Sequence, residues 1–111
     1  MPEFSTLSHL ECSRTGEVLD ADTVQGTSAS GAPLLARYDL DRARTLVTPA
    51  DIAARPPDLW RYHEVLPVRD PAHVVTMGEG MTPLLPLPRA GARLGVPGLR
   101  MKDEGLVPTG A

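Results

Sequence analysis

The sequence predicts a mixed α/β protein that opens on an irregular, hairpin-rich arm. Three observations point there. Two turns of the same small-x-x-small-Gly form, Cys12-Ser-Arg-Thr15-Gly16 and Thr27-Ser-Ala-Ser30-Gly31, lie in the first forty residues, each followed by an apolar pair. Thr48-Pro49-Ala50-Asp51 has the cap, the first-position Pro and the first-turn acid of a helix start. Beyond Val74, short β-type stretches alternate with Gly-rich turns and one helical segment. The chain therefore divides into a hairpin arm (1–40), a helix and linker (41–70) and the start of a further domain (71–111).

Composition limits how much of this can be self-supporting. Leu, Val, Ile and Phe make 26 of 111 residues, only slightly above the roughly 20% at which disorder becomes the default, while Gly (10) and Pro (12) are both abundant. A domain of this size must bury much of its surface, and few bulky residues are available to do so. A marginal or partly disordered fold is expected for the chain alone. The net charge of −3, the absence of a basic run and the scarcity of aromatic residues argue against nucleic-acid binding. The N-terminus lacks the basic and apolar regions of a secretory signal, and no apolar run approaches the roughly 18 residues of a membrane span. A single Cys excludes an internal disulfide. Location in the cytoplasm is expected.

In the arm, a knuckle turn before a strand is the geometry in which Cys-x-x-Cys-Gly wraps zinc. Here Cys12 is the one good ligand, His9 a weak second, and Thr15, Thr27 and Ser30 bind zinc poorly, so the two turns read as hairpins without a metal. The helix beginning at Pro49 should run through Ile52 to Arg55 and stop near Pro56-Pro57. Leu59-Trp60-Arg61-Tyr62, the densest aromatic patch, reads as an anchor packing this segment onto a larger body. Val74-Val75-Thr76 reads as a short strand leading into Met77-Gly78-Glu79-Gly80-Met81, whose two Gly allow close backbone approach to a partner or ligand. Arg89 to Leu94 suits two turns of helix, broken by Gly95-Val-Pro-Gly98, and Leu99 to Glu104 alternates as a strand should. Pro108-Thr109-Gly110-Ala111 then resembles the start of a further turn and helix, with Thr109 as its cap.

Taken in order, the two knuckle turns, Leu35-Ala-Arg-Tyr38-Asp39-Leu40, Leu59-Trp60-Arg61-Tyr62, Leu66-Pro67, Met77-Gly-Glu-Gly80-Met-Thr82-Pro83-Leu84, and Met101-Lys102-Asp103-Glu104-Gly105 with Pro108-Thr109-Gly110-Ala111 resemble the N-terminal part of threonine synthase. That family belongs to the tryptophan-synthase-β-like, fold-type II enzymes that use pyridoxal phosphate. The resemblance covers nearly the whole chain but about the first quarter of such an enzyme. It implies an incomplete portion of a two-domain open-sheet fold, an O-phosphohomoserine substrate converted with water to threonine and phosphate, and a full-length enzyme that is often dimeric. In the family, Pro-Thr-Gly-(Ser or Ala) is followed by Phe-Lys, and that Lys forms the Schiff base. The sequence reaches Ala111, so the resemblance implies a chain without its Schiff-base Lys, inactive alone and binding no cofactor by itself.

The resemblance also implies a zinc ribbon at the knuckles, from which this sequence departs at three of four Cys positions, and Val107 stands where Asn is frequent. Thr82 and Lys102 are the candidate substrate-phosphate contacts, since a hydroxyl and a cation suit an oxyanion. Glu79 and Glu104 read as organisers of their loops. Lys102, the single Lys, stands beside Asp103 and Glu104, which favour its charged form, and nothing nearby resembles a phosphate cradle. It reads as a strand lysine or a phosphate contact rather than a nucleophile. Two other readings remain open on the residues: a segment of another lyase or dehydratase of the same fold, or a small interaction module built around Trp60.

Overall fold

A computed structural model describes residues 3–108. Three-stranded and two-stranded antiparallel sheets alternate with short helices, so the architecture is mixed α and β. The backbone divides into two compact units, 1–56 with 60–75, and 57–59 with 76–111.

In the first unit, strands β1 (Leu7–Cys12), β2 (Val18–Leu19) and β3 (Leu34–Tyr38) form a sheet in the order β2-β1-β3. The apolar pairs after the two predicted turns supply β2 and the start of β3. Gly16 and Gly31 take φ of +76° and +71° in those turns. Registers Leu10↔Leu19 and Cys12↔Leu34 place both turns at one end of the sheet, and a bulge interrupts β1–β3 pairing between Leu7 and His9.

Helix α1 (Leu40–Leu46), capped by the Asp39 carboxylate on the Arg42 amide, begins one residue before the 41–70 region read as helix and linker and was not placed by the sequence. Helix α2 (Pro49–Ala54) starts where predicted. Thr48 accepts from the Asp51 amide while Asp51 accepts from the Thr48 amide, a reciprocal capping box. Leu59–Val65 forms 3₁₀ turns that meet in a kink at Tyr62.

The buried interior of this unit is small and largely polar. Leu7, Cys12, Ala32 and Ala43 are buried, and so are Ser5, Thr6, Ser28 and Glu64. Each polar member has a partner, as burial requires. Ser5 Oγ donates to the Leu66 carbonyl (2.5 Å), and Thr6 Oγ1 to the Glu64 carbonyl (2.8 Å). Arg55 grips the Glu64 carboxylate through two nitrogens at 2.6 and 2.9 Å. Arg69 donates to the Leu7 carbonyl (2.8 Å) and makes a two-nitrogen pair with Asp22. Trp60 Nε1 donates to the Val75 carbonyl (2.9 Å).

In the second unit, β4 (Leu84–Pro86) pairs antiparallel with β5 (Arg100–Lys102). Helix α3 (Pro88–Leu94) connects them, ending on Gly95 in the left-handed conformation. The predicted helix and the last strand are both present. The expected strand at Val74-Val75-Thr76 is not: that stretch follows a 3₁₀ turn at Pro71–His73 and stays irregular, and the Val75 carbonyl is taken by the Trp60 indole instead of a ladder. The predicted cap at Thr109 and the turn through Ala111 lie outside the described residues. Among the described residues no helix is long and apolar enough to cross a membrane.

Candidate functional site

The β4–β5 ribbon assembles the two residues singled out as phosphate contacts. Register Leu84↔Lys102 and the Asp103 amide donating to the Pro83 carbonyl (2.9 Å) bring the residues before β4 beside those after β5. The Lys102 ammonium donates to the Thr82 carbonyl, and the Thr82 hydroxyl donates to Glu104 Oε1 at 2.6 Å. Thr82, Lys102 and Glu104 thus form one hydrogen-bonded group, although 20 and 22 positions separate Thr82 from the other two. Asp103 stays out of it, its carboxylate capping the 3₁₀ turn Glu104–Leu106 through the Gly105 amide.

The geometry discriminates between the two candidates. The Thr82 hydroxyl proton is committed to a carboxylate, so its outward face offers lone pairs rather than a donor. The Lys102 ammonium has three donors and spends one on a carbonyl, leaving charge and donors for an anion.

The Gly-Glu-Gly loop is organised by its own carboxylate. Glu79 accepts from the Met77 amide (2.6 Å) and the Thr76 hydroxyl (3.4 Å); its own backbone amide first, then that of Met77 and the Thr76 hydroxyl, hold its carboxyl below the usual carboxylate range. The close approach read from the paired Gly is made, but to the chain itself. A Cβ on Gly80 would lie 3.1 Å from Asp58 C and from Leu59 N, and the Leu59 amide donates to the Glu79 carbonyl (2.9 Å). Next to it Met81 has φ +49°, an uncommon conformation for a residue with a side chain.

At the end of the three-stranded sheet, the two knuckle turns meet. Cys12 Sγ lies 3.1 Å from Ser28 Oγ and 3.6 Å from Ser30 Oγ, the two hydroxyls are 3.0 Å apart, and the Thr15 amide donates to the sulfur at 3.4 Å. Hydrogen bonds from Ser28 first and then Thr15 pull the thiol from 9.0 down to about 6, with burial opposing them. Ser28 and Ser30 face the thiol, whereas Thr27, at the first position of the second turn, is exposed and bridges Pro33. The Thr15 hydroxyl turns back to its own loop and accepts from the Glu17 amide. His9 sits three residues from Cys12 on the same strand, hence on the opposite face, with Nδ1 at 2.9 Å from Ser8 Oγ. Among the described residues no three His, Cys, Asp or Glu gather as a metal-binding group.

A cleft of about 470 Å³ in the first unit is lined by Phe4, Leu46, Asp51, Arg55, His63 and Glu64, among others. Its charges are already used: Glu64 is held below the carboxylate range by Arg55, and Asp51 by Thr48. Phe4 stacks on the His63 ring at 4.0 Å, and His63 Nδ1 lies 2.5 Å from the Phe4 carbonyl. The Arg55–Glu64 pair was missed in the sequence because nothing local marks residues nine apart, separated by Pro56-Pro57, as partners.

The chain is similar to threonine synthases. It is 34% identical over 100 residues to the threonine synthase of Methanocaldococcus jannaschii and 33% identical over 105 residues to that of Methanosarcina acetivorans. The matches take in 90% and 93% of this chain, which spans about a quarter (25%) of the length of each relative. No family model matches the chain. No solved structure matches it either.

Proposed function

We infer that this chain forms the N-terminal segment of a threonine-synthase-like enzyme, acting on O-phosphohomoserine and water to give threonine and phosphate. The observation that carries the reading is the similarity to two threonine synthases over nine-tenths of the chain. The reaction is the one the resemblance implies, and it depends on pyridoxal phosphate. The residues described do not fit that cofactor. Lys102, the only lysine, is an exposed strand residue whose ammonium is bonded to the Thr82 carbonyl, whereas a Schiff-base lysine needs a desolvated amine. No step through the cofactor is assigned to this chain, and it is read as inactive by itself.

Its contribution would be to the substrate phosphate. Lys102 leads, because it holds positive charge and free donors at the end of the ribbon. Thr82 would follow by turning its hydroxyl from Glu104 to the anion, and Glu104 would hold that hydroxyl in place meanwhile. The 1–40 arm and the 41–70 segment would serve as a support for the enzyme domain beginning near residue 71.

The test replaces the matching quarter of the Methanocaldococcus jannaschii enzyme with this chain and follows phosphate release from O-phosphohomoserine. The hybrid should turn over, and Lys102→Ala should raise KM at least about tenfold, the weight of a charge-assisted hydrogen bond. A folded, cofactor-loaded hybrid with no phosphate release would overturn the family reading. An active hybrid indifferent to Lys102→Ala would remove the residue assignment alone.

A further inference from the structure

The zinc ribbon implied by the resemblance does not fit the two knuckle turns of this chain. Zinc at about 2.3 Å from sulfur and about 2.0–2.2 Å from oxygen holds tetrahedral sulfur and oxygen ligands about 3.3 to 3.7 Å apart. The Cys12–Ser30 separation of 3.6 Å would suit either arrangement, but the Cys12–Ser28 and Ser28–Ser30 separations of 3.1 and 3.0 Å are shorter, as direct hydrogen bonds are. The third group facing the sulfur is the Thr15 N–H, a donor that cannot ligate, while the Thr15 hydroxyl is turned to Glu17. Ser28 is buried, and its Oγ also accepts from the Ala32 amide at 3.3 Å.

We propose that the two turns of the arm are tied together by a Cys12–Ser28–Ser30 thiol–hydroxyl hydrogen-bond cluster in place of a metal ion, so that the arm folds without zinc. The cluster sits where a metal would join the turns. Cys12 belongs to the turn closed by the Gly16 amide on the Cys12 carbonyl (2.9 Å), and Ser28 to the turn closed by the Gly31 amide on the Ser28 carbonyl (2.9 Å). Ser13 and Pro33 add a backbone bond between the two segments at 3.0 Å. Ser28 is the hinge of the arrangement, accepting from one backbone amide and bonding both to the thiol and to Ser30. Because this stands on the geometry of the arm, it holds or fails independently of the enzyme assigned above.

The experiment uses the full 111-residue chain and amide hydrogen exchange at Cys12, Gly16 and Gly31, read with added zinc ions and with a chelator. Protection should be the same in both, and the purified chain should contain far less than one zinc per molecule. Below about pH 6, where the thiol is protonated, Cys12→Ser keeps a hydrogen-bonding group and should preserve protection within about threefold, whereas Ser28→Ala should speed exchange at Gly31 roughly tenfold, the weight of one buried hydrogen bond. Stoichiometric zinc, protection that appears only with zinc, or loss of protection in Cys12→Ser would each overturn the proposal. So would an arm unprotected under both conditions.

Discussion

The two units of this chain are held by bonds of different reach. In the first, hydrogen bonds close across most of the chain: Ser5 to Leu66, Thr6 to Glu64 and Arg69 to Leu7 join residues 58 to 62 positions apart. In the second, the side-chain bonds that join the two ends of the ribbon span only 20 and 22 positions. Burial differs in the same sense. The first unit encloses Cys12, Ala32 and Glu64, whereas every residue of β4 and β5 is exposed and, among the described residues of that unit, only Gly91 is buried. Leu84, Leu85, Met101, Met77 and Leu106 are left to solvent there.

The lesson is that two kinds of signal build the two units. Local turn and cap chemistry is enough to shape the ribbon and its helix, but two strands without a covered face are marginal in water. Long-range polar pairing gives the first unit a closed interior despite its lack of bulky residues. It should open as a unit, and the ribbon should fray more readily.

The largest expected effect breaks the first unit. Arg55→Ala leaves the Glu64 carboxylate buried without its cation, a loss of about 3 kcal/mol. Denaturant unfolding followed by Trp60 fluorescence should show that loss, with hydrogen exchange in α3 unchanged. An equal loss in both units would dissolve the contrast.

Gly91→Ala tests the other side. A Cβ there would lie 2.5 Å from the Val96 carbonyl oxygen, so the helix must shift away from the loop that follows it, at about 2 kcal/mol. Exchange at the Val96 and Leu99 amides, which bond to Gly91 and Val96, should accelerate while the Trp60 midpoint stays put.

The pH dependence should be a smaller effect, concentrated in the first unit. Glu64 is depressed by Arg55, so its contribution is present above the ordinary carboxylate value and is lost as pH falls through the lower folded value. Cys12 is depressed to about 6, so its contribution is complete above the ordinary thiol value and is lost as pH falls toward 6. The Trp60-reported midpoint should therefore rise between pH 6 and 9 and drop below about pH 4.5, near the unperturbed carboxylate value. Cys12→Ser should remove the alkaline rise and leave the acid fall.

Thr82→Val should have the smallest effect on stability, below about 1 kcal/mol and confined to the ribbon, since one exposed hydroxyl–carboxylate bond is lost. Exchange at the Asp103 amide is the sensitive readout.

What the sequence determined by itself was local. The capping box at Thr48 and Asp51, the helix ending at Leu94 and the turns at Gly16 and Gly31 each rest on residues within a few positions, where backbone preference and a single side-chain bond decide the outcome. Thr82 and Lys102 were picked out by their chemistry, without any view of how close they lie. Tertiary structure decided the rest. Val74-Val75-Thr76 has the composition of a strand, but a ladder needs a partner, and the Trp60 indole takes the Val75 carbonyl. Cys12 selects Ser28 over Thr27 because the approach of the two turns, rather than spacing along the chain, fixes which hydroxyl faces the buried sulfur. Glu64 finds Arg55 for the same reason: a buried charge is paired by whatever the folded backbone brings within reach.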